Sequence, residues 1–200
     1  MKLVFASNNK HKLEEVRQIL PENVEVISLR EIGFLHEIDE IGATLEENSA
    51  LKARVVWKWM ADRTLLDGID GVFADDTGLE ISALGGAPGV RTARWAGDKA
   101  CDKNNREKAL QELQGVEDRS ARFRTVVSLI ISGEMQQVEG IVNGQIAREE
   151  EGNGGFGYDL VFIPDGHDRT FASLSCEEKN AISHRGRAME ALRKVIGGLL

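Results

Sequence analysis

The stretch VFADDTGLEI, residues 72–81, decides how this chain is read. It opens as an apolar run suited to a buried strand, and the run ends on two adjacent carboxylates, Asp75 and Asp76, followed by Thr77 and Gly78. A buried, unpaired carboxylate is so costly that it normally takes up a proton or acquires a partner. The pair therefore predicts a positive charge nearby.

Working outward, KLVFA (2–6) reads as a second buried strand, and Leu13, Val16, Ile19 and Leu20 fall at helical spacing from Lys10 until Pro21 closes the helix. Residues 24–29 suggest another strand. Thr44 and Glu47 have the spacing of a capping box that opens a helix running to about Ala61. In that helix Leu51, Val55 and Trp59 form the expected core stripe, while Asn48 and Lys52, four apart, share a polar face. Beyond the central strand, GGAPGVRTAR is rich in turn residues and precedes a helix from about Lys103 to Leu113. Two long β-like runs flank Gly133 as a hairpin, LVFIP is a short strand stopped by Pro164, and Ser183 caps a last helix that turns Met189, Leu192 and Ile196 inward. Helices and strands that interleave and then give way to a hairpin describe an α/β fold: a mixed, twisted central sheet with flanking helices. We expect one domain over residues 1–200, with two lobes around an active-site cleft.

The composition limits what such a fold can do. Among 200 residues, 42% hydrophobic, 25 basic side chains stand against 33 acidic ones, a formal net charge of −8. That balance disfavours a broad grip on nucleic acid, so any anion site must be local. No segment approaches a membrane span, the N-terminus is too short in apolar residues for a signal peptide, and a cytoplasmic protein is expected. Cys101 and Cys176 lack metal-ligand spacing, which argues against zinc.

Two of the expected helices begin with cations: Lys10, His11 and Lys12 in one, His184 and Arg185 in the other. Each opposes the helix dipole by about 0.3–1 kcal/mol when exposed, a placement that a bound phosphate would reverse. The alternative is a set of solvated surface charges. SNNKHK lacks the spacing of a Walker A loop, and no GxGxxG follows a strand. GNGGFGYD sets Phe156 among Gly152, Gly154, Gly155 and Gly157, which suits either a close approach to a stacked base or a plain hairpin tip. If the ligand is a polyphosphate, a magnesium ion would bridge it to one or two of Asp75, Asp76 and Glu40. For Asp75 an ordinary strand-end cap is the alternative.

Taken in order, ASNNKHKLEE, TLEENSALKA, ADDTGLEISALGGAPGVRTAR, GGFGYDLVF and EEKNAISHRGRA resemble the inosine triphosphate pyrophosphatase family over nearly the whole chain. The resemblance implies hydrolysis of deaminated purine nucleoside triphosphates to the monophosphate and pyrophosphate. It assigns Ser7, Asn8, Asn9, Lys10, His11, Lys12 and Lys52 to the triphosphate, with Thr77 beside Asp76. Asp76 is implied as general base and magnesium ligand, with Glu40 as a second metal position. Phe156, Gly157, Tyr158, Asp159, Lys179, His184 and Arg185 are implied to form the nucleoside pocket, and the enzyme to be a homodimer. Two positions depart from the pattern, Thr77 for serine and Leu160 for proline. The competing readings are a pyrophosphatase for another modified nucleotide and a sensor that binds a triphosphate without hydrolysing it.

Overall fold

The computed structural model describes residues 1–97, 99 and 101–198. In chain order the elements are β1 (Lys2–Phe5), α1 (Lys10–Ile19), β2 (Glu25–Ser28), α2 (Leu45–Ala61), β3 (Gly71–Ile81), β4 (Pro88–Gly89), α3 (Asp102–Glu112), β5 (Ser120–Ile131), β6 (Glu134–Ile146), β7 (Phe162–Pro164), α4 (Cys176–Ile182) and α5 (His184–Gly197). Among the described residues this gives a mixed seven-stranded sheet, ordered β2-β1-β3-β5-β6-β7 with β4 paired to β3, and five α-helices. The α/β architecture expected from the sequence is present. No helix among the described residues is long and apolar enough to cross a membrane.

The chain divides into two compact units, the first comprising Met1–Asp76, Thr125–Gly140 and Arg187–Leu200, the second Thr77–Arg124 and Ile141–Gly186. In the first unit β1 lies parallel to both β2 and β3, with Leu3 opposite Gly71, Val4 opposite Val72 and Phe5 opposite Phe73. Gly71 is required there, because a Cβ would stand 2.5 Å from the Ile130 carbonyl oxygen. Successive strand residues point to opposite faces, and both faces are covered. Leu3, Phe5 and Phe73 pack with Val16 of α1, with Leu20 just after it, and with Met189, Leu192 and Ile196 of α5. Val4, Val72 and Ala74 pack with Ala53, Val56 and Met60 of α2 on the other side. This double burial is why β3 begins as an unbroken apolar run.

Two expectations are corrected. The strand does not end at the acidic pair: β3 continues for eleven residues to Ile81, so Asp75 and Asp76 lie in its middle. The inward face of α2 is Ala53, Val56 and Met60 with Asn48, Ser49 and Lys52, whereas Val55 is 40% exposed. Small residues at Ser49 and Ala53 suit a helix lying close to the sheet, a preference that large apolar side chains at equal spacing conceal. The Thr44 side chain caps α2 as expected, accepting from the Glu47 amide, but the Glu47 carboxylate reaches back to the Ala43 amide rather than that of Thr44.

The hairpin is as read. Ser132 and Gly133 join β5 to β6 and both have positive φ, 52° and 84°, which is the two-residue turn that suits the twist of paired strands. In the second unit Leu79, Ile81, Phe123, Val142, Ile146 and Phe162 pack with Ala109 of α3 and with Leu113, which follows the helix. Helix α4 is an element the sequence reading missed, although Ser175 and Glu178 form a full capping box at its start. Ser183 caps α5 by accepting from the Gly186 amide, as expected.

Candidate functional site

The alternation of β3 answers the question its sequence raises. Asp75 follows Phe73 onto the face covered by α1, and Asp76 follows Ala74 onto the face covered by α2. Each carboxylate meets a lysine from the helix on its own side. Lys12 Nζ of α1 lies 2.9 Å from Asp75 Oδ1, and the Asp75 side chain is fully buried. Lys52 Nζ of α2 lies 3.3 Å from Asp76 Oδ1 and 2.6 Å from Glu40 Oε1. Asn48, one turn before Lys52, donates from Nδ2 to Asp76 Oδ2 at 3.3 Å and accepts the Gly42 amide on Oδ1 at 2.7 Å.

Within this cluster three carboxylates stand against two ammonium groups, one negative charge in excess. Burial is the largest influence on Asp76 and raises its pKa; Lys52 and Lys12 oppose this, Glu40 and Asp75 reinforce it, and the net direction is upward. For Lys52 burial acts downward, but Asp76, Glu40 and Asp75 together outweigh it, so the ammonium stays charged. A carboxylate held above its usual range is a better proton acceptor once ionised.

The excess negative charge and the all-oxygen character of Glu40 and Asp76 suit a hard divalent cation. No group of three or more His, Cys, Asp or Glu side chains arranged for a metal occurs among the described residues. An ion held by Glu40 and Asp76 would thus complete its shell with ligand oxygens and water, which is the usual habit of magnesium.

The second unit assembles a different cluster from the GNGGFGYD segment and α4. Asp159 Oδ2 accepts the Phe156 amide at 2.8 Å and the Lys179 ammonium at 2.6 Å, and both charged side chains are buried. Gly155, at φ +71°, is the residue that permits this turn, because a Cβ would collide with the Asp159 carboxylate. Lys179 Nζ lies 4.9 Å from the centre of the Phe156 ring and the Arg185 guanidinium carbon 5.7 Å from it, so an aromatic face and two cations share one place. Arg185 also donates to Thr77 Oγ1 at 3.3 Å. His184 stacks on Phe123 at 4.5 Å between ring centres. Such a cluster offers a stacking surface with fixed donors and an acceptor at its edge, the components needed to read the rim of a flat heterocycle.

The structure groups the sequence-derived candidates by unit. Lys12, Lys52, Asp76 and Glu40 come together in the first, Thr77, Phe156, Asp159, Lys179 and Arg185 in the second. Asn9 serves as N-cap of α1, accepting the Lys12 amide at 3.1 Å, and Ser7 accepts the Asn9 amide at 3.2 Å. Asn8 donates to the His36 carbonyl, while Lys10 and His11 are exposed on the first turn. The ring of Tyr158 belongs to the core; burial pushes its hydroxyl pKa up, Asp102 reinforces this, and the phenol donates to the Thr92 carbonyl. The reading of Asp75 as a strand-end cap is overturned by its mid-strand ion pair. Asn48 is a site residue that was seen on the polar face of α2 but not assigned; its i, i+4 relation to Lys52 was the available signal.

Comparison with known proteins places this arrangement. The model of the Ham1 family matches residues 3–195. A dITP/XTP pyrophosphatase of Flavobacterium psychrophilum is 46% identical over 192 residues, covering 96% of this chain and 97% of that protein. One of the same description from Bacillus subtilis is 46% identical over 197 residues, with 96% of each chain covered. The solved Staphylococcus aureus Ham1 protein superposes with a TM-score of 0.86 at 37% identity, each chain covered completely. A match of this extent in sequence and in backbone leaves one assignment: the chain belongs to the Ham1 family.

Proposed function

We propose that this protein hydrolyses deaminated purine nucleoside triphosphates, dITP, ITP and XTP, to the monophosphate and pyrophosphate, and so removes them from the nucleotide pool. The observation that carries the reading is the set of buried Lys52 and Asp76 with half-buried Glu40 on one face of β3, and buried Asp75 with Lys12 on the other. Buried charge of this density is expensive to maintain and marks a working site rather than a stabilising one. The names of the relatives support the substrate class.

Asp76 orients the attacking water and accepts its proton as oxygen bonds to the α phosphorus and the bond to the β phosphate breaks. Lys12 and Lys52 neutralise charge gathering on the departing pyrophosphate. Asn48 holds the second oxygen of Asp76, so the carboxylate presents a fixed edge. Glu40 and Asp76 would hold magnesium, which when bound supplies charge neutralisation and a more acidic water. In the second unit Phe156 offers the stacking surface, and Lys179 and Arg185 are the donors for a 6-oxo group. An adenine amino group would leave those donors unsatisfied, a mismatch worth up to about 10⁴-fold in a well-built site. The homodimeric, cytosolic enzyme implied by the resemblance is part of the same proposal.

The test is incubation with dITP and magnesium, assayed separately for pyrophosphate and orthophosphate, with dATP and modified pyrimidine triphosphates alongside. Pyrophosphate alone, released from dITP in preference to the others and abolished by EDTA, is the expected outcome. Orthophosphate release, equal turnover of dATP, or binding without turnover would overturn it.

A further inference from the structure

Two side chains of helix α3, one turn apart, take hold of a single residue of the GNGGFGYD segment. Asp102 Oδ2 accepts the Gly157 amide at 2.8 Å. Arg106 donates from one terminal nitrogen to the Gly157 carbonyl at 2.8 Å, and its Nε is fixed by Glu150 at 2.7 Å. The amide belongs to the peptide plane before Gly157 and the carbonyl to the plane after it. Holding both planes fixes φ and ψ of the residue between them. That residue is a glycine at φ +61° with nothing within 4 Å of where its Cβ would lie, so neither a side chain nor local crowding restrains it. Phe156 precedes this hinge, and Tyr158 and Asp159, anchored by the Thr92 carbonyl and Lys179, follow it.

We propose that Asp102 and Arg106 are positioning residues that lock the Gly157 hinge and thereby preset the Phe156 ring against Lys179 and Arg185 for the nucleobase. The proposal rests on the reading of this cluster as the base subsite. Preorganisation of this kind acts on affinity, because a loop ordered beforehand need not be ordered by the ligand. Its loss is thus felt by the part of the substrate that contacts the loop and not by the polyphosphate.

The experiment compares wild type with Asp102→Ala and with the gentler Arg106→Lys, which keeps a charge for Glu150 but has no second arm for Gly157. Four quantities are read: KM and kcat for dITP, the inhibition constant of pyrophosphate, and hydrogen exchange at the Gly157 amide. In both variants KM should rise about five- to twenty-fold, with kcat and the pyrophosphate constant within twofold of wild type. Exchange at Gly157 should speed at least tenfold in Asp102→Ala, and Asp102→Asn, which retains an acceptor oxygen, should recover part of the KM. A merely destabilised protein would instead lose kcat through a smaller active fraction, with KM unchanged. An unchanged KM in folded variants, or a pyrophosphate constant that rises in parallel, overturns the proposal. Should the wild type not hydrolyse dITP, the proposed function fails by itself, and exchange at Gly157 still decides whether the hinge is locked from α3.

Discussion

Replacing Asp76 by Asn separates the catalytic role of the central strand from its structural one. At 3.3 Å and an effective dielectric constant near 20, the attraction between Lys52 and Asp76 is about 5 kcal/mol before costs. Against it stand a burial penalty of several kcal/mol for the carboxylate and repulsion from Glu40 and Asp75. The amide also meets donors on both sides, Lys52 at one oxygen and Asn48 at the other, which costs about 1–3 kcal/mol. These opposing contributions leave the variant within about 2 kcal/mol of wild type, or roughly 4–8 °C in Tm for a chain of this size. Pyrophosphate release should nevertheless fall at least 10²–10⁴-fold, the span of a lost general base.

The pH dependence supplies the sharper check. Because the folded pKa of Asp76 lies above the ordinary aspartate value of 3.8, the native state binds more protons than the unfolded state between those two values. Wild type therefore loses stability on this account as pH rises through that window, and Asp76→Asn does not. The difference between the two proteins should shift in favour of the variant from below pH 3.8 upward and then level off. Chemical denaturation across that range, with a parallel pyrophosphate assay, measures both. A loss of 3–5 kcal/mol in the variant, the usual cost of breaking a buried pair, or a shift of the opposite sign, would make Asp76 a structural ion-pair partner and sink the catalytic assignment.

Two further outcomes follow from the same geometry. Lys52→Met leaves Asp76 and Glu40 without their shared ammonium and should cost about 3–5 kcal/mol in urea titrations, a loss that millimolar magnesium restores in part if those two carboxylates hold the ion. Gly155→Ala drives a methyl group into the Asp159 carboxylate and strains a left-handed residue by about 1–2 kcal/mol, so KM for dITP should rise about tenfold while inhibition by pyrophosphate stays the same; equal effects on both would detach Asp159 from the base subsite.

Much of the architecture was legible because it is written in short-range patterns. The apolar runs of β1 and β3, the period of α1 and α5, and the turn at Ser132 and Gly133 are local signals that the tertiary structure leaves in place. Helix α2 misled for a physical reason. Its two candidate faces have similar periodicity, and the face carrying Asn48, Ser49 and Lys52 turned inward because the sheet presents Asp76 there. A sequence reading gives polar residues to solvent by default, and that default fails where burial serves chemistry. The grip of α3 on Gly157 was invisible for another reason: Asp102 and Arg106 are ordinary helix-surface residues until a chain segment 55 and 51 positions away lies against them.

The sequence alone determined that two carboxylates on a buried strand require cations and that lysines stand at the start of α1 and on one face of α2. Only the tertiary structure decided which lysine serves which carboxylate. Adjacent strand residues face opposite ways, so Asp75 and Asp76, neighbours in the chain, belong to different layers. Their partners, 63 and 24 residues distant, are set by the helix that covers each face.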